Sequence, residues 1–417
     1  MQAEIIAVGS EMLTPARVDT NSLVLTERLN RRGIEVVRKT IIGDDRTRLS
    51  EEIARSLSAS EIVILTGGLG PTLDDLTREA VADAIGVELE FHPEIVEELE
   101  ARFSRFGRPM AENNKRQAYV LAGAEVLPNP NGTAPGQWVE RDGRVLMLLP
   151  GPPRELRPMF EEQCEQRLDR IESPYQYATV SLRVSGLGES DVDQRIGPIY
   201  SSEPRVATTI LAAPGDIQLH LRGRAVTEEE ARSIAEALAA KIADELKDHV
   251  YSWTNEPIEV VVGNLLRERS LRLGLAESCT GGMLSQWITA HAGCSDFFAG
   301  SIISYSEDAK IGWLGVAAET IASDGVVSEA TAREMAERAR DLAGGASKAV
   351  GLSVTGVAGP DGGSEETPVG TVYLGVADEA GTLVKHRVFG GRERDRNRML
   401  AAQTALELLR RRLLGIL

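Results

Sequence analysis

Apolar runs that stop at glycine-rich turns, each followed by a helical pattern, constrain this chain more than any other feature. AEIIAVG from Ala3, IEVVRKTIIG from Ile34, EIVILTGG from Glu61 and VLMLLPG from Val145 are such runs. Short apolar stretches bounded by turn residues read as strands buried on both faces. Between them Asn21–Arg31 and Arg46–Leu57 repeat with helical period, and a further helix is predicted after Pro153. Strands alternating with helices imply a parallel sheet covered on both sides, an α/β three-layer domain.

The pattern changes near residue 173. YATVSLRVSG is a strand, Glu189–Ile196 a short helix, and RVATTILAAPGDIQLHLRGR a hairpin turning at Pro214–Gly215. The amphipathic Glu228–Lys247 helix and the strand HVYSW follow. This β-α-β-β-α-β order predicts a small α+β module. After the linker Thr254–Pro257 the α/β pattern returns, with helices expected at Ile258–Glu268, Gly282–Ala290, Glu329–Ala343 and Arg394–Arg412. The expected domains are 1–172, 173–254 and 255–417.

Acidic residues outnumber basic ones 63 to 46, a net charge of −17, which repels a polyanionic partner over most of the surface. Direct nucleic-acid binding is not expected. Cys164, Cys279 and Cys294 form no CxxC and no metal-ligand spacing. An odd, sparse cysteine count fits a reducing compartment. The N-terminus lacks a secretory pattern and no apolar run is long enough to span a bilayer, so a cytoplasmic location is expected.

Ala276-Glu277-Ser278-Cys279-Thr280-Gly281-Gly282 sits where a predicted strand ends and a helix begins. A hydroxyl there stands beside unpaired helix N–H groups, which can stabilise an oxyanion. Gly281 and Gly282 permit close ligand approach. Ser278 serves as nucleophile only with a base nearby; otherwise it is a helix N-cap. Cys279 is the alternative nucleophile or a small packed residue. Neither His291 nor His386 has an evident place beside Ser278, which leaves Lys310, in Tyr305-Ser306-Glu307-Asp308-Ala309-Lys310. A lysine acts as a base when burial or a neighbouring positive charge lowers its pKa, and is otherwise solvated. The glycine-rich stretch Gly356–Gly363 is a phosphate or carbonyl cradle, or a wide turn. Arg392 and Arg396, at i,i+4, share one helix face and would hold a phosphate, or else form a solvated face, while Arg394 and Arg398 interleave on another face.

In the first domain, Thr66-Gly67-Gly68-Leu69-Gly70-Pro71-Thr72-Leu73-Asp74-Asp75 joins a buried strand to a helix. Gly67, Gly68 and Gly70 suit a phosphate or pyrophosphate. Asp74 and Asp75 suit a hard divalent cation, or else a helix N-cap and its dipole.

AESCTGG, then YS-x-x-x-K, TGVAGPDGG and FGGRE-x-x-R together resemble the CinA C-terminal family of nicotinamide-nucleotide amidases. The resemblance implies hydrolysis of nicotinamide mononucleotide to nicotinate mononucleotide and ammonia, with no cofactor. It implies Ser278 as nucleophile, Lys310 and Tyr305 as proton-transfer partners, and a pocket that includes Thr280, Gly281, Gly282, Thr355 and Gly356. The first domain, with Val18-Asp19-Thr20-Asn21-Ser22, Asn114-Lys115-Arg116-Gln117 and Leu149-Pro150-Gly151-Pro152-Pro153-Arg154-Glu155, resembles the molybdopterin-binding-like domain of full-length CinA proteins. That implies a metal-dependent ADP-ribose pyrophosphatase using Mg, Mn or Co. Asp19, Asp74 and Asp75 would hold the metal, and Asn21 and Lys115 would contact substrate. The middle module resembles a KH fold, but Gly186-Leu187-Gly188-Glu189 has the wrong spacing and charge for a nucleic-acid clamp. A homodimer is expected. The competing readings are an accessory protein for competence or recombination and a molybdopterin-binding enzyme.

Overall fold

The computed structural model describes residues 1–105, 107–171, 174–391 and 393–417. The chain forms two compact units, residues 1–178 with 224–231 and residues 179–223 with 232–417. The expected boundary at 172 and 173 falls outside the described residues. No helix among the described residues is long and apolar enough to cross a membrane.

In the first unit a six-stranded sheet runs Glu35–Ile42, Gln2–Val8, Ile62–Thr66, Arg144–Leu149, Gly136–Arg141, Glu125–Leu127. Alternation along the strands splits the core into two layers. Ile5, Ile64 and Met147 pack with Leu25, Leu29 and Phe160. Ile6, Val63 and Leu148 face Leu49, Ile53 and Val81 on the other side. Each fully buried side chain of this size contributes about 1.5–3 kcal/mol. Two expectations need correction. The first four strands are parallel, but the last two are antiparallel. The cause is a two-residue turn at Asp142 and Gly143, both at positive φ (51° and 73°), which folds Arg144–Leu149 back on Gly136–Arg141. The run from Ile34 is also not buried throughout: it forms the edge strand, and Val37 and Ile41 are exposed.

The middle module has the expected order, with a four-stranded sheet and the hairpin turning at Pro214–Gly215. Leu182, Val184 and Leu219 pack against Val192, Ile196 and Ile242.

The last domain carries a five-stranded sheet ordered Phe298–Ile303, Arg272–Glu277, Ala349–Gly356, Thr371–Asp378, Gly381–Val388. The first three strands are parallel. Leu273, Leu275, Leu352 and Val354 bury one face against Ile258, Val262, Leu406 and Leu409 of two helices. The Glu329–Ala343 helix covers the other face at very close range. A Cβ on Gly274 would lie 2.1 Å from the Ala339 carbonyl oxygen, and one on Gly351 1.9 Å from that of Ala336. These two glycines pair in register and form the floor on which the helix lies.

Candidate active site

Glu277 pairs with Ile303 on one side and Val354 on the other. The next residues, Ser278, Ser304 and Thr355, therefore stand at the carboxyl ends of three adjacent parallel strands, where ligands bind in open α/β sheets. Ser278 is buried, and its N–H donates to the Val354 carbonyl at 2.9 Å. Lys310 reaches it from a single π-helical turn, Lys310–Leu314, a local irregularity frequent at functional sites. The Ser306 side chain starts that turn by accepting from Ala309 N at 3.1 Å. Lys310 is only 2% exposed. Its Nζ lies 2.9 Å from Ser278 Oγ and 2.8 Å from the Ser304 carbonyl oxygen. No carboxylate pairs with it among the described residues, and burial lowers its pKa below the ordinary lysine range. Cys279 is also buried, and desolvation pushes its thiol up to about 11, away from a reactive thiolate.

The sequence reading missed Glu277. It is fully buried, and its carboxylate accepts from Gly282 N (3.0 Å), Leu284 N (3.2 Å), Ser285 N (3.0 Å) and Ser285 Oγ (2.6 Å). One side chain thus closes the Ser278–Gly282 loop and caps the Met283–Thr289 helix, with negative charge at the positive end of the helix dipole. Gly281 (φ 59°) and Gly282 (φ 93°) take successive left-handed conformations that a Cβ would strain. Among the described residues no backbone carbonyl accepts from the amides of Cys279 and Thr280, and the buried Thr280 hydroxyl has no partner.

The remaining candidates spread around this centre. Thr355 is buried and donates to the Val326 carbonyl at 2.8 Å. Gly356 sits where a Cβ would come 2.5 Å from the Thr371 carbonyl oxygen. Tyr305 is 58% exposed and bonds neither Ser278 nor Lys310; its hydroxyl accepts from Arg394 Nη2 at 2.8 Å. Arg392 lies outside the described residues. Arg396 donates to the Gly390 carbonyl at 2.9 Å and keeps an exposed edge. The interleaved arginines make the site contacts: Arg394 also donates to the Gly359 carbonyl (2.8 Å), and Arg398 to the Thr280 carbonyl (2.8 Å). Between them, buried Asn397 ties down the Ala358 carbonyl at 3.0 Å. The Arg394–Leu414 helix carries Arg394, Arg396, Asn397 and Arg398 in its first turns.

In the first unit, Gly67, Gly68, Gly70, Asn21, Asp74 and Asp75 line one cleft of about 660 Å³. Gly67 (φ 99°) and Gly68 (φ 66°) need the left-handed region. Buried Arg78 donates to the Leu69 and Gly70 carbonyls (2.8 and 3.1 Å), which fixes the loop from behind. Asn21 donates to the Gly151 carbonyl at 2.7 Å, and its buried Oδ1 has no partner. Two candidates stand apart. Asp19 accepts from Ser22 N at 3.0 Å as a local helix cap, and Lys115 pairs with Glu112 at 2.7 Å on its own turn; neither lines the cleft. Short-range partners hold both. Gln117 and Thr133 line the cleft instead, bonded to each other at 3.1 Å. Among the described residues no three His, Cys, Asp or Glu side chains converge as a metal cage. Glu11, Asp44, Asp74, Asp75 and Glu155 nevertheless make the lining acidic. That donor chemistry fits a hard cation that takes one or two carboxylates and completes its shell from substrate and water.

Family models match the chain in three successive stretches: a probable molybdopterin binding domain over residues 4–170, a damage-inducible protein CinA KH domain over 179–252, and a CinA C-terminal domain over 255–413. A CinA-like protein of Solibacter usitatus is 52% identical over 415 residues, covering 100% of this chain and 99% of the relative. A putative competence-damage inducible protein of Acetivibrio thermocellus is 40% identical, covering 99% and 98%. Among solved structures, the competence/damage inducible protein CihA of Agrobacterium tumefaciens is 35% identical, covers 36% of this chain and 91% of its own, and has a TM-score of 0.35. With identity of this order along the whole length and all three domain models matched in sequence, the chain belongs to the CinA family.

Proposed function

We propose that the last domain is an amidase that hydrolyses nicotinamide mononucleotide to nicotinate mononucleotide and ammonia. The observation that carries this reading is the buried, carboxylate-free Lys310 amine 2.9 Å from Ser278 Oγ. A neutral Lys310 donates one N–H to the Ser304 carbonyl and offers its lone pair to the Ser278 hydroxyl. Ser278 Oγ attacks the amide carbon as its proton passes to Lys310. The amide C–N bond then breaks, and Lys310 returns the proton to the departing ammonia. Water repeats the sequence on the resulting ester: its proton goes to Lys310, the acyl–oxygen bond breaks, and Lys310 gives the proton to Ser278 Oγ, which restores both groups. The Cys279 and Thr280 amides are the nearest donors for the oxyanion. The substrate's pyridinium adds positive charge near Lys310 and lowers its pKa further. Tyr305, oriented by Arg394, contacts the substrate at the rim and assists proton transfer, while Arg392 and Arg396 take the phosphate. The family motifs around these residues support this substrate class. The test is ammonia release from nicotinamide mononucleotide by the wild type, absent in Ser278→Ala.

A second reading concerns the first unit. A glycine-lined cleft of about 660 Å³ suits a phosphorylated nucleotide, and hydrolysis of ADP-ribose to AMP and ribose 5-phosphate is the activity proposed there. Asp74 and Asp75 would hold a divalent cation, which would supply positive charge for the pyrophosphate. Release of AMP from ADP-ribose, with and without added Mg, Mn or Co, tests this reading independently of the amidase.

A further inference from the structure

Within the second unit, a cavity of about 340 Å³ opens between the middle module and the Arg394–Leu414 helix, away from Ser278. Its charge contradicts the rest of the chain. Lys385, Arg387, Arg411 and His249 line it, against a single acid, Glu407. That acid is already neutralised: Arg410 Nε donates to it at 2.7 Å and Arg411 Nε at 2.6 Å. Lys385 has no carboxylate partner among the described residues. Burial first, and then Arg387 and Arg411 nearby, lower its pKa below the usual range, with Glu407 opposing.

The fold builds this cluster from both sides. Lys385 and Arg387 are two apart on the Gly381–Val388 strand and so share a face. Leu400, Thr404, Glu407 and Arg411 recur at helical spacing and give a second wall. Ser185, Gly186 and Leu187, at the turn that joins the Gln176–Ser185 strand to the Glu189–Tyr200 helix, give a third with His249. In a chain of net charge −17, gathering Lys385 and Arg387, neither paired with a carboxylate among the described residues, beside the Glu407-paired Arg411 around one cavity costs repulsion that an anion would relieve.

We infer that this cavity binds a small phosphate-bearing molecule, with Lys385, Arg387 and Arg411 as its charge partners. Its volume fits a phosphate group with a small substituent, whereas an extended strand of nucleic acid needs an open groove. The test is calorimetric titration of the full-length protein with inorganic phosphate at constant ionic strength, comparing wild type with Lys385→Gln/Arg387→Gln. The expected result is a phosphate-binding event in the wild type, separate from any at the amidase site or the first-unit cleft, that weakens by roughly tenfold or more in the double variant, while amidase turnover persists. Arg387→Gln alone, at an exposed position, serves if the double variant fails to fold, and should weaken the same event. Equal phosphate uptake by wild type and variants overturns the proposal. So does binding of a single-stranded oligonucleotide, lost in the variants, without any binding of phosphate.

Discussion

Lys310 Nζ lies 2.9 Å from Ser278 Oγ, and the two residues arrive from different elements: one from the end of a central strand, the other from a π-helical turn after the neighbouring strand. Lys310 must be neutral to take the serine proton, and its pKa lies below the ordinary lysine value. The amidase kcat/KM is therefore expected to rise with pH through an apparent pKa below about 10.4. Lys310→Arg keeps the positive charge but cannot lose it, and should lower kcat by about 10²–10⁴-fold. A pH–rate profile without that ascending limb would remove Lys310 as the base.

The same depression makes stability depend on pH. The folded state binds a proton at Lys310 less tightly than the unfolded chain does. The burial cost is thus present in full below the folded pKa. Stability then rises with pH from the folded pKa up to the unfolded value near ~10.4. Denaturant midpoints measured across alkaline pH should show this upward contribution in the wild type and lose it in Lys310→Met.

Glu277 holds the nucleophile loop through four donors on Gly282, Leu284 and Ser285. In Glu277→Gln an amide N–H₂ must face N–H groups, so about 1.5–3 kcal/mol per lost charged hydrogen bond is forfeited. The expected outcome is a lower melting temperature and a reduced kcat, with the pH profile unchanged because Lys310 is untouched. A shifted profile would mean that Glu277 titrates in the reaction instead of positioning the loop.

Arg394 bonds the Tyr305 hydroxyl and the Gly359 carbonyl, whereas Arg396 bonds Gly390 and keeps an exposed edge. Arg394→Ala should lower kcat by tenfold or more, on the order of one to two lost hydrogen bonds. Arg396→Ala should raise KM for the nucleotide with kcat nearly unchanged. Steady-state kinetics on the two variants separate these roles.

Gly68 has φ 66°, and a Cβ there would lie 2.1 Å from Thr77 Oγ1. Gly68→Ala should destabilise the first unit by about 1–3 kcal/mol and abolish ADP-ribose hydrolysis. Amidase activity should survive, which thermal melts and the two assays on one preparation would check.

Much of the fold was readable because apolar runs and turns carry it. The helices Ile258–Glu268 and Glu329–Ala343 fall where their periodicity places them. The antiparallel margin of the first sheet was also signalled, by Asp142-Gly143, but a two-residue turn is easily passed over between longer runs. Ser278 is legible from its place at a strand-to-helix turn and Lys310 by elimination among possible bases, and the fold brings the two together. Glu277 was hidden because an acid at a strand end reads as solvated; only the fold shows it buried beneath a helix N-terminus. The arginines were ambiguous because the helix that begins at Arg394 carries 394, 396 and 398 around its first turns, and only the fold shows that Arg394 and Arg398 meet the loops. Asp19 and Lys115 were drawn to the cleft by motif and are held elsewhere by near neighbours in sequence.

The most direct measurement is rapid-quench mass spectrometry of the protein mixed with nicotinamide mononucleotide, with ammonia release followed in parallel. The account predicts a transient acyl ester on the peptide containing Ser278, formed as ammonia appears, and neither signal in Ser278→Ala. Turnover that persists in Ser278→Ala, or a wild type that releases no ammonia from the nucleotide, would contradict it.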